Sequence, residues 1–444
     1  MRWLAALTTI ALWGCGEELV EPGRMRLVSG HEPDPWAVSP APDHAVVFKE
    51  SGSGEPTELA SGPAPLTEFS LGQTGAGHYS VTGLDAAEVP RVRARSLKID
   101  PAGFAGGTLP LFVARAGELA RPPGELASEV GASPLAASLA ARHLLLVRGG
   151  AAGLALDGYD LAAWRPIEPT PLLDCGAPSC EPRSLAVALG SLALAVGDGW
   201  GFWFDPIVGD SSPIAPPDGL ASWADVAGGA TVTAPDGSTW IIGGTRAEAP
   251  SAEVLAIAVD GTLSHLVLSS PRQGATAIWV DGRGLVVVGG GDASAAGAEL
   301  LADGAKTFMP LPQPPDQTRG AALVVLGSAR LLRVGGRQGG APAPSVELAL
   351  GCAASCSPEA AGDEVDLAQA SAFPLGSGRA LVIGSNDAGE TRVFRWEDGQ
   401  AVAVELREPR SNAAAVLLPS GHVGIAGGTL PGGQSARSIE LYLE

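Results

Sequence analysis

The sequence predicts an all-β protein: a seven-bladed β-propeller closed by an N-terminal strand and preceded by a small β-sandwich. Three observations predict it. The 444 residues include 61 glycines and 37 prolines without a collagen period, a composition of many short elements joined by turns. An apolar run ending in Gly-Gly, or a near copy of it, recurs seven times along the chain. The tracts that follow these glycines carry Pro250, Pro342, Pro344 and Pro431. Proline inside a helix removes a hydrogen bond and clashes with the preceding turn, so these tracts are loops.

Residues 1–14 read as a signal segment, in which Arg2 precedes an apolar run from Trp3 to Trp13 that is too short to span a bilayer as a mature helix. The ending "LWGC" resembles the lipobox of bacterial lipoproteins, which implies cleavage before Cys15 and lipid attachment to its thiol. Several acyl chains, at about 0.8 kcal/mol per buried methylene, would hold the protein on a membrane. By the same resemblance, glycine rather than aspartate at Gly16 implies the outer membrane or cell surface. Residues 15–30 then read as a lipidated tether.

Residues 31–105 lack the glycine repeat. They carry short alternating runs, "HAVVFKE", "TEFSLG", "GHYSVTGL" and "RVRARSLKI", separated by Gly/Ser/Pro turns, the spacing of a small β-sandwich. The segment "GHYSVTGLDA" resembles the tyrosine-bearing strand of immunoglobulin or fibronectin type III domains.

Residues 108–444 hold the repeat. Its glycines are Gly149-Gly150, Gly197-Asp198, Gly243-Gly244, Gly289-Gly290, Gly335-Gly336, Gly384-Ser385 and Gly427-Gly428, with first glycines 48, 46, 46, 46, 49 and 43 residues apart. Taken alone, "GLVVVGGGDASAAGAEL" (284–300) would pass for a nucleotide-binding turn, in which glycines admit a pyrophosphate to a helix N-terminus. A nucleotide loop does not recur seven times, so the glycines are read as structural: a chain without Cβ bends and admits a neighbouring backbone. Arg183, Arg272, Arg319 and Arg410 precede the pairs, and Glu253, Glu299, Glu347 and Glu440 follow them. Each repeat therefore reads as a four-stranded unit. The last stops after "SIELYLE", so its fourth strand is expected from residues 109–124, closing the ring and leaving no open edge.

An arginine before the first strand, a diglycine ending the second and an acidic-aliphatic third strand resemble the kelch family of β-propellers, over about residues 108–444. Some members are copper-radical oxidases with two tyrosine and two histidine ligands and a cysteine-linked tyrosine. This chain has three tyrosines, Tyr79, Tyr159 and Tyr442, of which Tyr79 lies outside the ring. His143 and His422 fall on expected strands and His265 has no motif around it.

Other chemistry is equally thin. Cys175 with Cys180 and Cys352 with Cys356 form close pairs in turn-like tracts, and export makes two local disulfides the leading reading over zinc, whose knuckle spacing is absent. Asp236 in "APDGSTW" suits a hairpin turn, and "SNDAGET", with Asn386, Asp387 and Glu390, is a weak calcium candidate. Trp200, Phe202 and Trp203 form the densest aromatic cluster and read as core. A net charge of -20 without a basic cluster argues against nucleic acid. The expectation is an envelope-anchored monomer that binds a protein or a glycan, with no catalytic residue, no metal and no cofactor; a carbohydrate-active oxidase or hydrolase is the alternative.

Overall fold

The computed structural model describes residues 22–444 apart from 53, 73–74, 105, 129–133, 140, 151–152, 169, 189, 206–207, 247–248, 328–329, 353–354 and 377. The expected signal segment and Cys15 lie outside the described residues. Among the described residues the protein is all-β, the helical turns being the short 3-10 segments Pro101–Phe104 and Trp223–Asp225.

Two sheets form first. One runs in the order Thr57–Pro63, His44–Glu50, His78–Leu84, Pro90–Arg95, Ala114–Arg115, and the other places Arg24–Val28 between Glu68–Ser70 and Thr108–Phe112. Alternation turns Val47, Tyr79, Val81, Val92 and Ala94 of the first toward Met25, Phe69 and Leu111 of the second, in one shared core. Arg24–Val28 thus departs from the tether expected over 15–30: Met25 is 1% exposed, so "RMRLV" is a half-buried strand despite its two arginines. Thr108–Phe112 departs from the start expected for the ring at 108. It pairs in parallel with Arg24–Val28 and buries both faces, Leu111 in the small core and Phe112 among residues of the following sheets.

Among the described residues, seven antiparallel sheets of four or five strands follow, built on Leu135–Leu139, Ser184–Ala188, Ala230–Thr233, Thr276–Val280, Ala322–Gly327, Gln369–Gly376 and Ala414–Leu417 as first strands, with a two-stranded ribbon of Arg337–Gln338 and Ala341–Pro342 beside them. In the last, Ala414–Leu417, Val423–Ala426 and Ile439–Leu443 are completed by Glu118–Ala120, with Tyr442 opposite Leu119. Of the expected 109–124, the residues that pair with the C-terminal strand are these three.

The second strands are mostly apolar because both their faces are covered, with Arg333 in the fifth sheet a charged exception. In "HLLLV", Leu144 and Leu146 pack with Ile439 and Leu441 of the last sheet, while Leu145 and Val147 pack with Ala193, Ala195 and Phe202 of the next. The same division recurs along the chain: Leu194 and Val196 meet Ile241, Ile242 meets Leu285 and Val287, Val286 and Val288 meet Leu331. It continues as Leu332 and Val334 meet Ala380 and Val382, and Leu381 and Ile383 meet Val423 and Ile425. Each such side chain contributes about 1.5–3 kcal/mol on full burial, so the cores that hold the molecule lie between sheets.

The glycines end these second strands. Gly289 and Gly290 take φ of 73° and 69°, and a Cβ on Gly290 would stand 2.7 Å from both Gln273 O and Ala275 N. Gly243-Gly244, Gly335-Gly336 and Gly427-Gly428 are also left-handed throughout. Gly149-Gly150 is different, because it stays within the strand His143–Gly150.

This backbone fit sets a register that corrects the sequence reading of the arginines. A Cβ on Gly336 would meet Arg319 O and Ala321 N at 2.7 Å, and one on Gly428 would meet Ser411 O at 2.5 Å. Gln273, Arg319 and Ser411 are therefore equivalent, as are Arg272, Thr318 and Arg410 before them. Arg272 and Arg410 are wholly buried in ion pairs, with Glu299 at 2.7 Å and Glu440 at 2.8 Å. Arg319, one residue out of register, is exposed. On the third strands Glu299 pairs across from Val287 and Glu440 from Ile425, but the matching Arg333 faces Val346. Thr318 and Val346 thus occupy the places of the ion pair in the fifth sheet, and Glu347 instead meets Arg330 near the surface.

Candidate functional site

The residues singled out in the sequence do not converge. Cys175 is disulfide-paired with Cys180 and Cys352 with Cys356, each pair in its own connection. Trp200 and Phe202 are buried in the core between two sheets. Asp236 accepts the Ser238 N–H at 2.9 Å, closing the hairpin turn. Asp387 is bound by Arg337 at 2.9 Å and Glu390 by Arg392 at 2.9 Å, so arginines already engage the carboxylates of the calcium candidate. His265 hydrogen-bonds Glu253. His143 begins a strand beside Asp160, and burial holds its imidazole below its ordinary value.

The arrangement that does converge is a cleft between the small two-sheet unit and the turns of the first and last of the seven sheets. It encloses about 250 Å³. Its apolar wall comes from Phe104 in the 3-10 turn, Leu109 and Leu111 on the shared strand Thr108–Phe112, and Leu161 and Trp164 in the turn after Gly153–Asp160. Its polar groups are Arg95, Lys98, Asp100, Arg142 and Ser420.

Each charge is set by a neighbour. Arg95 donates to Glu50 at 2.7 Å and to the Ser420 carbonyl at 2.6 Å, tying the small unit to the last sheet. Burial raises the Glu50 carboxyl, but the Arg95 hydrogen bond and charge prevail and hold it below the usual range. Arg142 forks onto Asp160 at 2.9 and 2.7 Å. Burial of Asp160 is likewise outweighed, by Arg142 and by backbone N–H groups, so it too titrates low. Lys98 is exposed. Behind Ser420, His422 is fully enclosed and its imidazole is pushed down to about 3, first by burial and then by the charge of Arg95.

The two turns that enter the cleft from the first of the seven sheets each contain a non-glycine residue in the left-handed region, Ala141 at φ 52° and Trp164 at φ 52°. Such positions cost on the order of 1–3 kcal/mol and persist where the surroundings over-determine them. Trp164 is held by its indole N–H on Pro110 O at 3.2 Å and by the Phe112 ring 5.4 Å away. Sequence reasoning missed the cleft because its residues come from segments far apart in the chain, none carrying a motif. The signal available was Phe112, an aromatic residue in a strand buried on both faces.

No family model matches the chain, and no curated protein matches it. Among solved structures it is similar to the extracellular domain of the BT4673 hybrid two-component system of B. thetaiotaomicron, with a TM-score of 0.44, 10% identity and 73% of this chain covered; it spans 39% of that chain. It is similar to a chain of the Mitotic Checkpoint Complex, with a TM-score of 0.47 and 13% identity over 74% of this chain and 92% of that one. It is also similar to TolB from Acinetobacter baumannii, with a TM-score of 0.38 and 13% identity over 77% of this chain and 80% of that one. These neighbours are β-propeller-like.

Proposed function

We propose that the protein is a non-catalytic binding scaffold of the cell envelope: a closed seven-bladed, kelch-type β-propeller with a small β-sandwich at one face, anchored through a lipid on Cys15. The order of the inter-sheet cores supports closure, since the last sheet shares one core with the first and another with the sixth. The pairing of Glu118–Ala120 with the C-terminal strand supports it too. The disulfide pairs fit an oxidising compartment, and the sequence ending in "LWGC" supports the anchor. Cys15→Ala is expected to move the protein from the membrane fraction to the soluble one; retention on the membrane refutes the anchor.

The single observation that carries the binding role is the cleft, a concave apolar wall facing a few convergent polar groups at a domain interface. An extended peptide or glycan segment would lay its apolar face on Leu109 and Phe104 and its polar groups on Lys98 and Asp100. Screening the full chain against peptide and glycan arrays, then repeating any hit with Lys98→Glu and Leu109→Asp, tests this. At least a tenfold loss with both variants is expected. Binding unaffected by either would place the ligand elsewhere and overturn the reading.

A further inference from the structure

The polar groups that the cleft leaves unspent narrow what it can take. Ile99 exchanges both of its backbone hydrogen bonds with Gly77, at 2.8 and 2.9 Å, and turns its side chain into the small core. Successive side chains of an extended chain point to opposite faces, so Lys98 and Asp100 stand together on the other side, about 6.6 Å apart along the backbone. Both are exposed, and both line the cleft. Among the described residues Lys98 has no hydrogen bond or ion pair. Asp100 accepts the Ala102 N–H on Oδ1 at 3.1 Å, which leaves Oδ2.

The two arginines of the cleft differ in what they have left. Arg95 is fully engaged, with Nε and Nη2 on Glu50 at 3.1 and 2.7 Å and Nη1 on Ser420 O at 2.6 Å. Arg142 spends Nε and Nη2 on Asp160, so Nη1 remains, on a side chain half exposed to solvent. The accessible lining thus offers two cationic donors and one carboxylate acceptor beside an apolar wall. That local excess of cations stands in a chain with 28 basic and 48 acidic residues.

We propose that the cleft takes the free C-terminal end of a peptide, its apolar last residue against Leu109 and Phe104, its carboxylate on Lys98 and Arg142 and an amide N–H on Asp100. This rests on the reading of the cleft as the binding site and names its ligand. Hydrogen bonds between ionised groups are about twice as strong as neutral ones, and capture of a terminal carboxylate is a recurring mode of peptide recognition. The competing ligands each leave a group unanswered. A fatty acid has no N–H for Asp100. A polyanion meets the field of a protein with net charge -20. A neutral glycan has no charge for Lys98, and Trp164, 7% exposed with its indole N–H on Pro110 O, offers it no free ring face. The enclosed 250 Å³ lies below the ~300 Å³ of ordinary ligand pockets, which suits the end of a chain better than its middle.

The test is fluorescence polarisation of the full chain with dye-labelled peptides ending in leucine, valine or phenylalanine, each as the free acid and as the C-terminal amide, with decanoate as a competitor. At least one free acid is expected to bind tenfold or more tighter than its amide. Lys98→Met should remove that difference and Lys98→Arg should keep it; Lys98 is exposed and unpaired, so neither change threatens the fold. Leu109→Asp should weaken acid and amide alike, and decanoate should compete at least tenfold less well than the unlabelled peptide acid. Equal binding of acid and amide that is still lost in Leu109→Asp overturns this proposal and leaves the cleft as a binding site. A preference for the acid that survives both Lys98→Met and Leu109→Asp places the site elsewhere and overturns both readings. Decanoate competing as well as the peptide acid, or no binding by any of the peptides, overturns the assignment to a peptide end.

Discussion

Replacing Arg410 by methionine isolates the polar seam of the last sheet, the one completed by Glu118–Ala120. Both side chains of the Arg410–Glu440 pair are fully buried. The substitution removes donors from the carbonyls of Ser438 at 2.8 Å and Glu408 at 3.1 Å, and it strips Glu440 of its cation. Glu440 keeps the N–H groups of Arg407 at 2.8 Å and Glu408 at 3.0 Å, so its charge is not abandoned entirely. Breaking a buried pair by removing one partner costs roughly 3–5 kcal/mol, and the two surviving N–H bonds argue for the lower half of that range. Some buried pairs tolerate replacement of both partners by apolar residues. Here the double variant Arg410→Met/Glu440→Leu would orphan backbone groups on both sides, at about 1–3 kcal/mol each, so it should be no more stable than the single one. Urea unfolding followed by tryptophan fluorescence measures both. A loss below about 1 kcal/mol for Arg410→Met, or a double variant as stable as the natural protein, would refute the reasoning.

Three further outcomes follow from the same geometry. Gly428→Ala places a Cβ 2.5 Å from Ser411 O at φ 89° and is expected to cost more than about 1 kcal/mol, whereas Gly150→Ala meets nothing within 4 Å and should be near neutral; equal urea midpoints for the two would contradict this. His422 has its folded value near 3 against about 6.5 unfolded, so the stability it contributes is complete above pH 6.5 and is lost as pH falls toward 3, by on the order of 4 kcal/mol. Urea titrations at several pH values should therefore give a flatter profile for His422→Gln than for the natural protein, and parallel profiles would remove His422 from the account. Opening the Cys175–Cys180 loop, five residues in separation, should cost about 2 kcal/mol by loop-closure entropy with the far-ultraviolet circular dichroism preserved; loss of the sheet signal on reduction would show that the bridge holds more than its own turn.

The repeat was legible because two constraints act together in most of the sheets. A second strand covered on both faces favours apolar residues at successive positions, as in "GLVVV", and the chain after it turns where a Cβ would strike the next connection, as at Gly290. The pairing of Glu118–Ala120 with the C-terminal strand was legible from a deficit, a final repeat one strand short. What stayed hidden was register. "PRQGATAI" and "TRGAALVV" both offer an arginine just before a glycine, but Gly320 follows Arg319 directly while Gly274 stands two residues after Arg272. That single residue puts one guanidinium inside a sheet and the other in solvent.

The cleft was illegible for a related reason. It arises where the repeat is violated, at the strand Thr108–Phe112 that serves two cores at once. A pattern read from a sequence is an average over its copies, and it identifies what every copy needs to pack. Binding requires the opposite, a place where packing and polar pairing are left incomplete.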